Sequence, residues 1–424
     1  MNYTILEIEN KLTPIIAKME LDGVKIDSQK LKKTQEALET LKMKYQSDIE
    51  NIAGSAVNLN SNEQLSNLLF DTLKITPKNT KRGKNGCYAV DKNHLKKLTQ
   101  AHEIIEILLQ FRKTETLLKF CEGLFNAIHP KTGRLHCNLN QSGTATGRFS
   151  SSKPNLQNVP NVKVKETEKD PLKLLGSKFR EVFIPKKGCQ FICSDYSQIE
   201  LRVVADMSGD PFLIKAYTED LDIHTLTASE VFNIPFDTVT SEQRSIAKTV
   251  NFGLVYGMSA IGLSESLTAI TGQTHTKEDA QKVMDNYFQR FNGVKLFLDK
   301  LIDDADNKGY SSTIYGRKRL ISQLASTNQY EREKGKRLAK NSPIQGTAAD
   351  IIKLAMIACD KAIAENNLKS KMILQVHDEL LFEVPNDEVK IMEKLIKDTM
   401  ENVVRLSIPL KVGLETGKNW AVAH

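Results

Sequence analysis

Two adjacent acids, Asp378 and Glu379, interrupt the apolar run LQVHDELLFEV at residues 374–384. Leu374 and Val376 precede them, and Leu380, Leu381 and Phe382 follow. Burying an unpaired carboxylate costs on the order of several kcal/mol. A chain with this run therefore has two choices. It can form a β-hairpin with His377 and Asp378 at the tip and the acids in solvent, or it can place a cation against them. On this stretch alone the two readings stand level.

The chain has 424 residues, enough for one large domain or two to three ordinary ones. A net charge of +7 permits a polyanionic partner without demanding one, so the distribution of charge decides. No uncharged apolar run approaches the roughly 18–20 residues of a membrane span. The start, MNYTILEIENKLTP, lacks the basic-then-apolar pattern of a signal peptide. No membrane partner is expected, and the expected location is the cytoplasm of a bacterial cell or of a phage-infected host. Cys87, Cys121, Cys137, Cys189, Cys193 and Cys359 form no CxxC pair, which reads as reduced structural thiols and no zinc site.

Residues 29–125 read as long helices. Leu31, Leu38, Leu41, Tyr45, Ile49 and Ile52 keep one apolar face. A second helix is expected from about Asp91 through Phe125, with Leu95, Leu98, Ile105 and Leu108 inward. Between them, KNTKRGKNG at 78–86 is either a solvated loop or a basic tip that touches phosphates. Residues 131–160 carry turn chemistry, and a polar loop of that length is functional or disordered.

In QFICSDYSQIELR a short apolar strand ends at Asp195, and a helical pattern follows through Leu201, Val204 and Met207. An acid there is a metal ligand or, more simply, a helix N-cap. In SEQRSIAKTVNFGLVYG (241–257), Arg244, Lys248, Phe252 and Tyr256 recur every four residues. On a helix they drift roughly 40° per step and span roughly 18 Å. Two cations followed by two aromatics make a poor core face. They suit a ligand with phosphates at one end and flat rings at the other. KGKRLAKNSPIQGTAADIIKLAM (334–356) reads as a basic approach into a helix with Pro343 near its start. Val389, Met392, Ile396, Met400 and Val403 mark a helix that packs on a sheet.

These pieces fit one chemistry. Asp195 and Asp378, on neighbouring strands, can hold two divalent cations about 3.5–4 Å apart for in-line displacement at phosphorus. One would activate an attacking hydroxyl and the other would hold a leaving pyrophosphate. Hard carboxylate ligands suit Mg²⁺. Arg244 and Lys248 would grip a triphosphate, and Phe252 and Tyr256 would meet sugar and base.

The sequence strongly resembles the polymerase domain of bacterial and phage DNA polymerase I, the family A DNA polymerases. DYSQIELR (195–202) and VHDEL (376–380) are similar to the two palm motifs, and RSIAKTVNFGLVYG (244–257) to the fingers motif. TATGRFSSSKPNLQNVP (144–160), DIHT (222–225), NSPIQGTAAD (341–350) and GKNWAVAH (417–424) are further matches, all in family order. The resemblance implies an α+β, mostly helical right-hand fold. Palm is expected at 1–28, 129–206 and 319–424, thumb at 29–128 and fingers at 207–318. It implies that Asp195, Asp378 and the Tyr196 carbonyl hold two Mg²⁺, with Mn²⁺ as a substitute. Glu379 is implied as a further acid at the catalytic centre, beside Lys248. Gln198, Ile199, Glu200 (as gate against a 2′-hydroxyl) and His224 would line the nucleotide site with Arg244, Lys248, Phe252 and Tyr256. Arg148, Asn155, Gln157, Arg337, Asn341, Gln345 and His377 would contact the duplex, where minor-groove acceptors are common to all correct pairs. Primer-template DNA and deoxynucleoside triphosphates are the implied partners of a monomer, with a separate exonuclease, helicase or primase compatible. No proofreading segment is recognised ahead of the palm motifs.

There are departures. Where the family runs IRTELGRRIRxAF, this chain has NVKVKETEKDPLKLLGSKFREVF (161–183). Lys163 or Lys165 would replace the early arginine there without its bidentate fork. Ala421 stands where the family often has an acid. Three other classes share features. A single-subunit RNA polymerase is disfavoured by Glu200 and Phe252. An inactive binding module is disfavoured by the intact Asp195, Lys248 and Asp378. A metal nuclease has no use for the Arg-Lys-Phe-Tyr helix.

Overall fold

The computed structural model describes residues 4–78, 81–164 and 167–424. Helix α1 (Ile5–Asp22) starts in a capping box: the Thr4 hydroxyl accepts from the Glu7 N–H, and the Glu7 carboxylate accepts from the Thr4 N–H. Helix α2 (Ser28–Ala53) is capped by Asp27 and buries Leu31, Leu38, Leu41 and Ile49. It packs along α3 (Glu103–Ala127).

The second long helix expected from Asp91 is broken. A short helix, Lys92–Lys96, gives way to a turn, and α3 starts only at Glu103. His102 is the cause: its backbone is extended, and its ring Nδ1 accepts from the Ile104 N–H at 3.2 Å, a cap in mid-run. Leu95, Leu98, Ile105 and Leu108 are still buried, in a core of their own with Leu65, Leu69 and Phe111. In the basic loop, Asn79 and Thr80 lie outside the described residues. Arg82 there is spent on structure: it donates to the Gly86 carbonyl at 2.8 Å, pairs with Asp71 and covers the Tyr88 ring.

The polar stretch 131–160 is ordered and carries a hairpin, β1 (Asn138–Asn140) against β2 (Ser150–Ser152). In the longer segment that follows, α4 (Pro171–Lys178) starts at an Asp170 cap and packs against α2 and α3. Lys163 is exposed, and Lys165 lies outside the described residues.

The central sheet is antiparallel. Strands β3 (Cys189–Tyr196), β4 (Lys371–Val376), β5 (Glu379–Pro385) and β6 (Val412–Gly417) run in the order β6-β3-β5-β4. The register sets Asp195 opposite Glu379 on one side and Gly413 on the other. Helix α5 (Ile199–Ser208) leaves β3. Beyond it lie α6 (Ile223–Phe232) and α7 (Ser241–Val255), packed on each other. Helix α8 (Gln329–Glu365) crosses the molecule, and α9 (Val389–Glu401) covers the sheet with Met392, Ile396 and Met400.

Helix α8 differs from expectation. It begins at Gln329, so the basic approach is itself helical and Pro343 lies inside it. Proline removes the N–H that would bond the carbonyl four residues back, and normally breaks a helix. Here that carbonyl, of Ala339, accepts from the Ser311 hydroxyl at 3.3 Å. A residue 28 positions away in sequence supplies the missing donor.

Candidate active site

Strand β3 delivers Asp195, and the β4–β5 turn delivers Asp378. His377, at the tip, holds a left-handed φ of 54°. The Tyr196 N–H donates to the Asp378 carbonyl at 3.3 Å, which ties the turn to β3. Asp195 is not the helix cap: the N-cap of α5 is Gln198, itself left-handed at φ 55°. Asp195 and Asp378 line one cavity of about 430 Å³. Both carboxyls are pushed upward. For Asp195 burial acts first, then the charges of Asp378 and Glu379, and for Asp378 burial acts first. Oδ1 of Asp195 is buried and accepts no hydrogen bond among the described residues. Two raised carboxyls, one with an orphaned oxygen, fit a divalent cation, which would lower both.

The hairpin is therefore present, and the cavity at its tip has room for a cation. Leu374, Val376, Leu380, Leu381 and Phe382 are buried in the sheet, while the turn opens on the cavity.

The opposite wall is α7. Arg244, Lys248 and Phe252 face the same cavity, while Tyr256 caps the helix outside it, its ring stacked on Phe252 at 6.4 Å. Arg244 pairs with Asp222 at 2.6 Å. Although burial acts upward on Asp222, hydrogen bonds from Arg244 and Thr225 hold it down at about 2. His224 lies 5.8 Å from the Phe252 ring, with Nδ1 3.1 Å from Nδ2 of Asn251. Burial holds His224 down at about 4, so it is neutral near pH 7. Tyr196, Gln198, Ile199 and Glu200 complete the wall beside Asp195. Ala348, Ala349 and Ile352 of α8 form an apolar part that the sequence reading missed, and the small residues of GTAAD were the only signal.

The residues expected on the duplex also make contacts within the protein. Arg148, expected on the duplex, lines the cavity and pairs with Glu200. Gln157 braces the hairpin tip: its amide donates to the Gln375 carbonyl at 2.7 Å and its carbonyl accepts from the His377 N–H at 3.2 Å. Asn155 accepts from the Gln157 N–H at 3.1 Å. Asn341 donates to the Tyr256 carbonyl at 3.3 Å, and Arg337 lies against Gly257. Gln345, on α8, does not line the cavity, and His377 is an exposed member of its lining.

Glu379, the further acid of the sequence reading, is placed apart from the two aspartates. Its carboxylate does not line the cavity. It lies in a buried cluster with Arg180 (3.3 Å), Cys193 Sγ (2.8 Å), the Trp420 indole N–H and His424 Nδ1 (3.3 Å). Burial acts upward on it, but His424, Arg180 and Cys193 hold it down at about 2. The reason is register: Glu379 stands across from Asp195 and leans along the strand toward Cys193. Sequence reading assigned no role to Arg180, Trp420 or His424.

Comparison with known proteins agrees with this geometry. The family model for DNA polymerase family A matches residues 28–422. DNA polymerase I of Caldicellulosiruptor bescii is 44% identical over 97% of this chain and 46% of the relative. DNA polymerase I of Bacillus subtilis is 42% identical over 98% of this chain and 45% of the relative. The chain thus spans about half the length of the curated relatives it matches. A solved structure, the POL domain of Pol1 from M. smegmatis in complex with DNA primer-template and dNTP, superposes with a TM-score of 0.88 at 38% identity. It covers 98% of this chain and 70% of that one, and the architecture is accordingly the right-hand polymerase fold. With its two aspartates and its Arg-Lys-Phe helix around one cavity, the chain belongs to DNA polymerase family A.

Proposed function

We propose that this chain is a template-directed DNA polymerase, adding deoxynucleoside triphosphates to a primer 3′-hydroxyl with release of pyrophosphate. The observation that carries this reading is one cavity with Asp195 and Asp378 on one wall and Arg244 and Lys248 on the other. The M. smegmatis relative, bound to primer-template and dNTP, supports the same substrates here. Family A polymerases are metal-dependent, and Asp195, Asp378 and the Tyr196 carbonyl are the groups that would hold the ions. Two Mg²⁺, or Mn²⁺ in their place, would supply Lewis-acid activation of the hydroxyl and charge neutralisation at the leaving group. Arg244 and Lys248 bind phosphate oxygens, and the apolar floor at Ala348, Ala349 and Ile352 limits water. His224, Gln198 and Phe252 shape the space for sugar and base. The working form is a cytoplasmic monomer, and the described residues contain no helix long and apolar enough to cross a membrane. Extension of a labelled primer on a defined template, by purified protein with Mg²⁺, tests the reading. No extension in either Mg²⁺ or Mn²⁺ overturns it.

The two cations on α7 differ. Arg244 is held by Asp222, and Lys248 forms no ion pair among the described residues. Lys248→Ala is expected to lower the single-turnover rate by roughly 10²-fold, because a cation beside the departing pyrophosphate acts on developing charge. Arg244→Ala is expected mainly to raise the nucleotide concentration at half-maximal rate. If both variants change only that concentration, α7 is a binding surface alone.

Glu200 stands in the first turn of α5, lines the cavity and is largely buried. Glu200→Ala opens space beside the sugar. The ratio of ribonucleotide to deoxynucleotide incorporation should rise, with much of the deoxynucleotide rate retained. An unchanged ratio places the gate elsewhere.

A further inference from the structure

The buried cluster around Glu379 is not used by the chemistry above, yet four separate segments build it. Glu379 follows Asp378 in the chain and pairs across β3 with Asp195, so it is the immediate backbone neighbour of one aspartate and the cross-strand neighbour of the other. Its carboxylate takes Arg180 from the segment before β3, Cys193 from β3 itself, and Trp420 and His424 from the segment after β6. The Arg180 guanidinium stacks on the Trp420 ring at 4.2 Å. The Trp420 ring meets Phe183 edge-on at 5.2 Å, and the Trp420 backbone N–H donates to the Phe183 carbonyl at 3.1 Å.

The turn that brings His424 back is specified locally. A side chain on Gly417 would lie 2.7 Å from the Ala423 nitrogen, so only glycine allows that approach. Asn419 accepts from the Val422 N–H at 2.9 Å. Asn161, from the segment that departs from the family pattern, reaches His424 Nε2 at 2.7 Å.

Cys193, Glu379 and His424 lie close enough together to suggest a metal site. Arg180 argues against one, since its guanidinium already provides the positive charge beside Glu379. What remains is a mechanical role. A carboxylate fixed by four groups cannot rotate, and its backbone sits between the two aspartates.

The geometry points to a clamp: Arg180, Trp420 and His424 grip Glu379 and thereby hold Asp195 and Asp378 at the spacing a shared divalent cation needs. Glu379 and His424 are then positioning residues, not catalytic ones. The inference rests on the reading of Asp195 and Asp378 as cation ligands. Groups that orient metal ligands typically contribute about 10–100-fold to metal affinity.

The test is Mn²⁺ binding, followed by electron paramagnetic resonance, to the protein with a dideoxy-terminated primer-template and dNTP, where no turnover occurs. His424→Ala should weaken Mn²⁺ binding roughly tenfold, with primer-template affinity within twofold of wild type. His424→Asn, whose amide N–H takes the place of Nδ1 and can still donate to Glu379, should recover most of the loss. Asn161→Ala, which removes only the outer contact, should shift binding in the same direction by less and serves if His424→Ala does not fold. Wild-type Mn²⁺ affinity in the folded His424→Ala protein, or in Asn161→Ala if that is the one that folds, overturns the clamp, whatever the melting temperature does. Asp378→Asn is the control. If it abolishes Mn²⁺ binding while the clamp variants leave it intact, only the clamp fails. If it too leaves binding intact, the cation-site reading fails.

Discussion

Asp195→Asn and Asp378→Asn should each lower the single-turnover extension rate by roughly 10³-fold or more, with primer-template binding nearly unchanged. The two side chains share one cavity, and Asp195 has a buried oxygen that no donor among the described residues satisfies. Asparagine keeps the shape and removes the charge that a cation requires. Fold stability should not fall, because neither aspartate takes part in an ion pair among the described residues. Each substitution also removes one of two mutually repelling buried charges, so the melting temperature should hold or rise. Substantial extension by either variant in Mg²⁺ would remove that aspartate from the catalytic centre.

A second large effect is expected outside the cavity, at Lys353. Its side chain is fully buried, with Nζ 2.6 Å from Glu9 of α1 and 3.0 Å from the Gln141 carbonyl. Arg317 bridges the same Glu9 to Asp350, which also accepts from the Thr313 hydroxyl at 2.8 Å. Two acids face two cations in this network. Lys353→Met leaves a net buried negative charge and should cost about 3–5 kcal/mol, read by urea unfolding. Adding Glu9→Gln restores neutrality, and the double variant should regain part of the loss. Additive losses would mean that the pair is not coupled. The network also supports the active-site loop. Gly147 holds φ 82°, and a side chain there would lie 2.4 Å from the Arg317 guanidinium. Arg317 thus packs directly against the residue before Arg148.

Most of the secondary structure near the site was legible because its signals are local. The apolar alternation around Asp195 and Asp378 specifies strands, and the fourfold spacing of Arg244, Lys248 and Phe252 specifies one side of a helix. The breaks in the expectation have local-against-distant causes. His102 ended a helix by a local cap that apolar periodicity does not register. Pro343 failed to end one because Ser311, from a separate hairpin, satisfied the freed carbonyl.

By itself, the sequence determined which residue types could do this chemistry and roughly which elements would carry them, since periodicity and turn chemistry act over a few residues. It could not determine the partner of each charge. Arg148 meets Glu200 across 52 positions, Arg180 meets Glu379 across 199, and Lys353 meets Glu9 across 344. Such pairings follow from strand register and helix packing, because an ion pair depends on a few ångströms of separation that no spacing along the chain encodes. That is why two neighbouring acids, Asp378 and Glu379, look equivalent in the sequence and separate in the fold. The turn opens Asp378 onto the cavity, and the register carries Glu379 into the protein, against Arg180, Trp420 and His424.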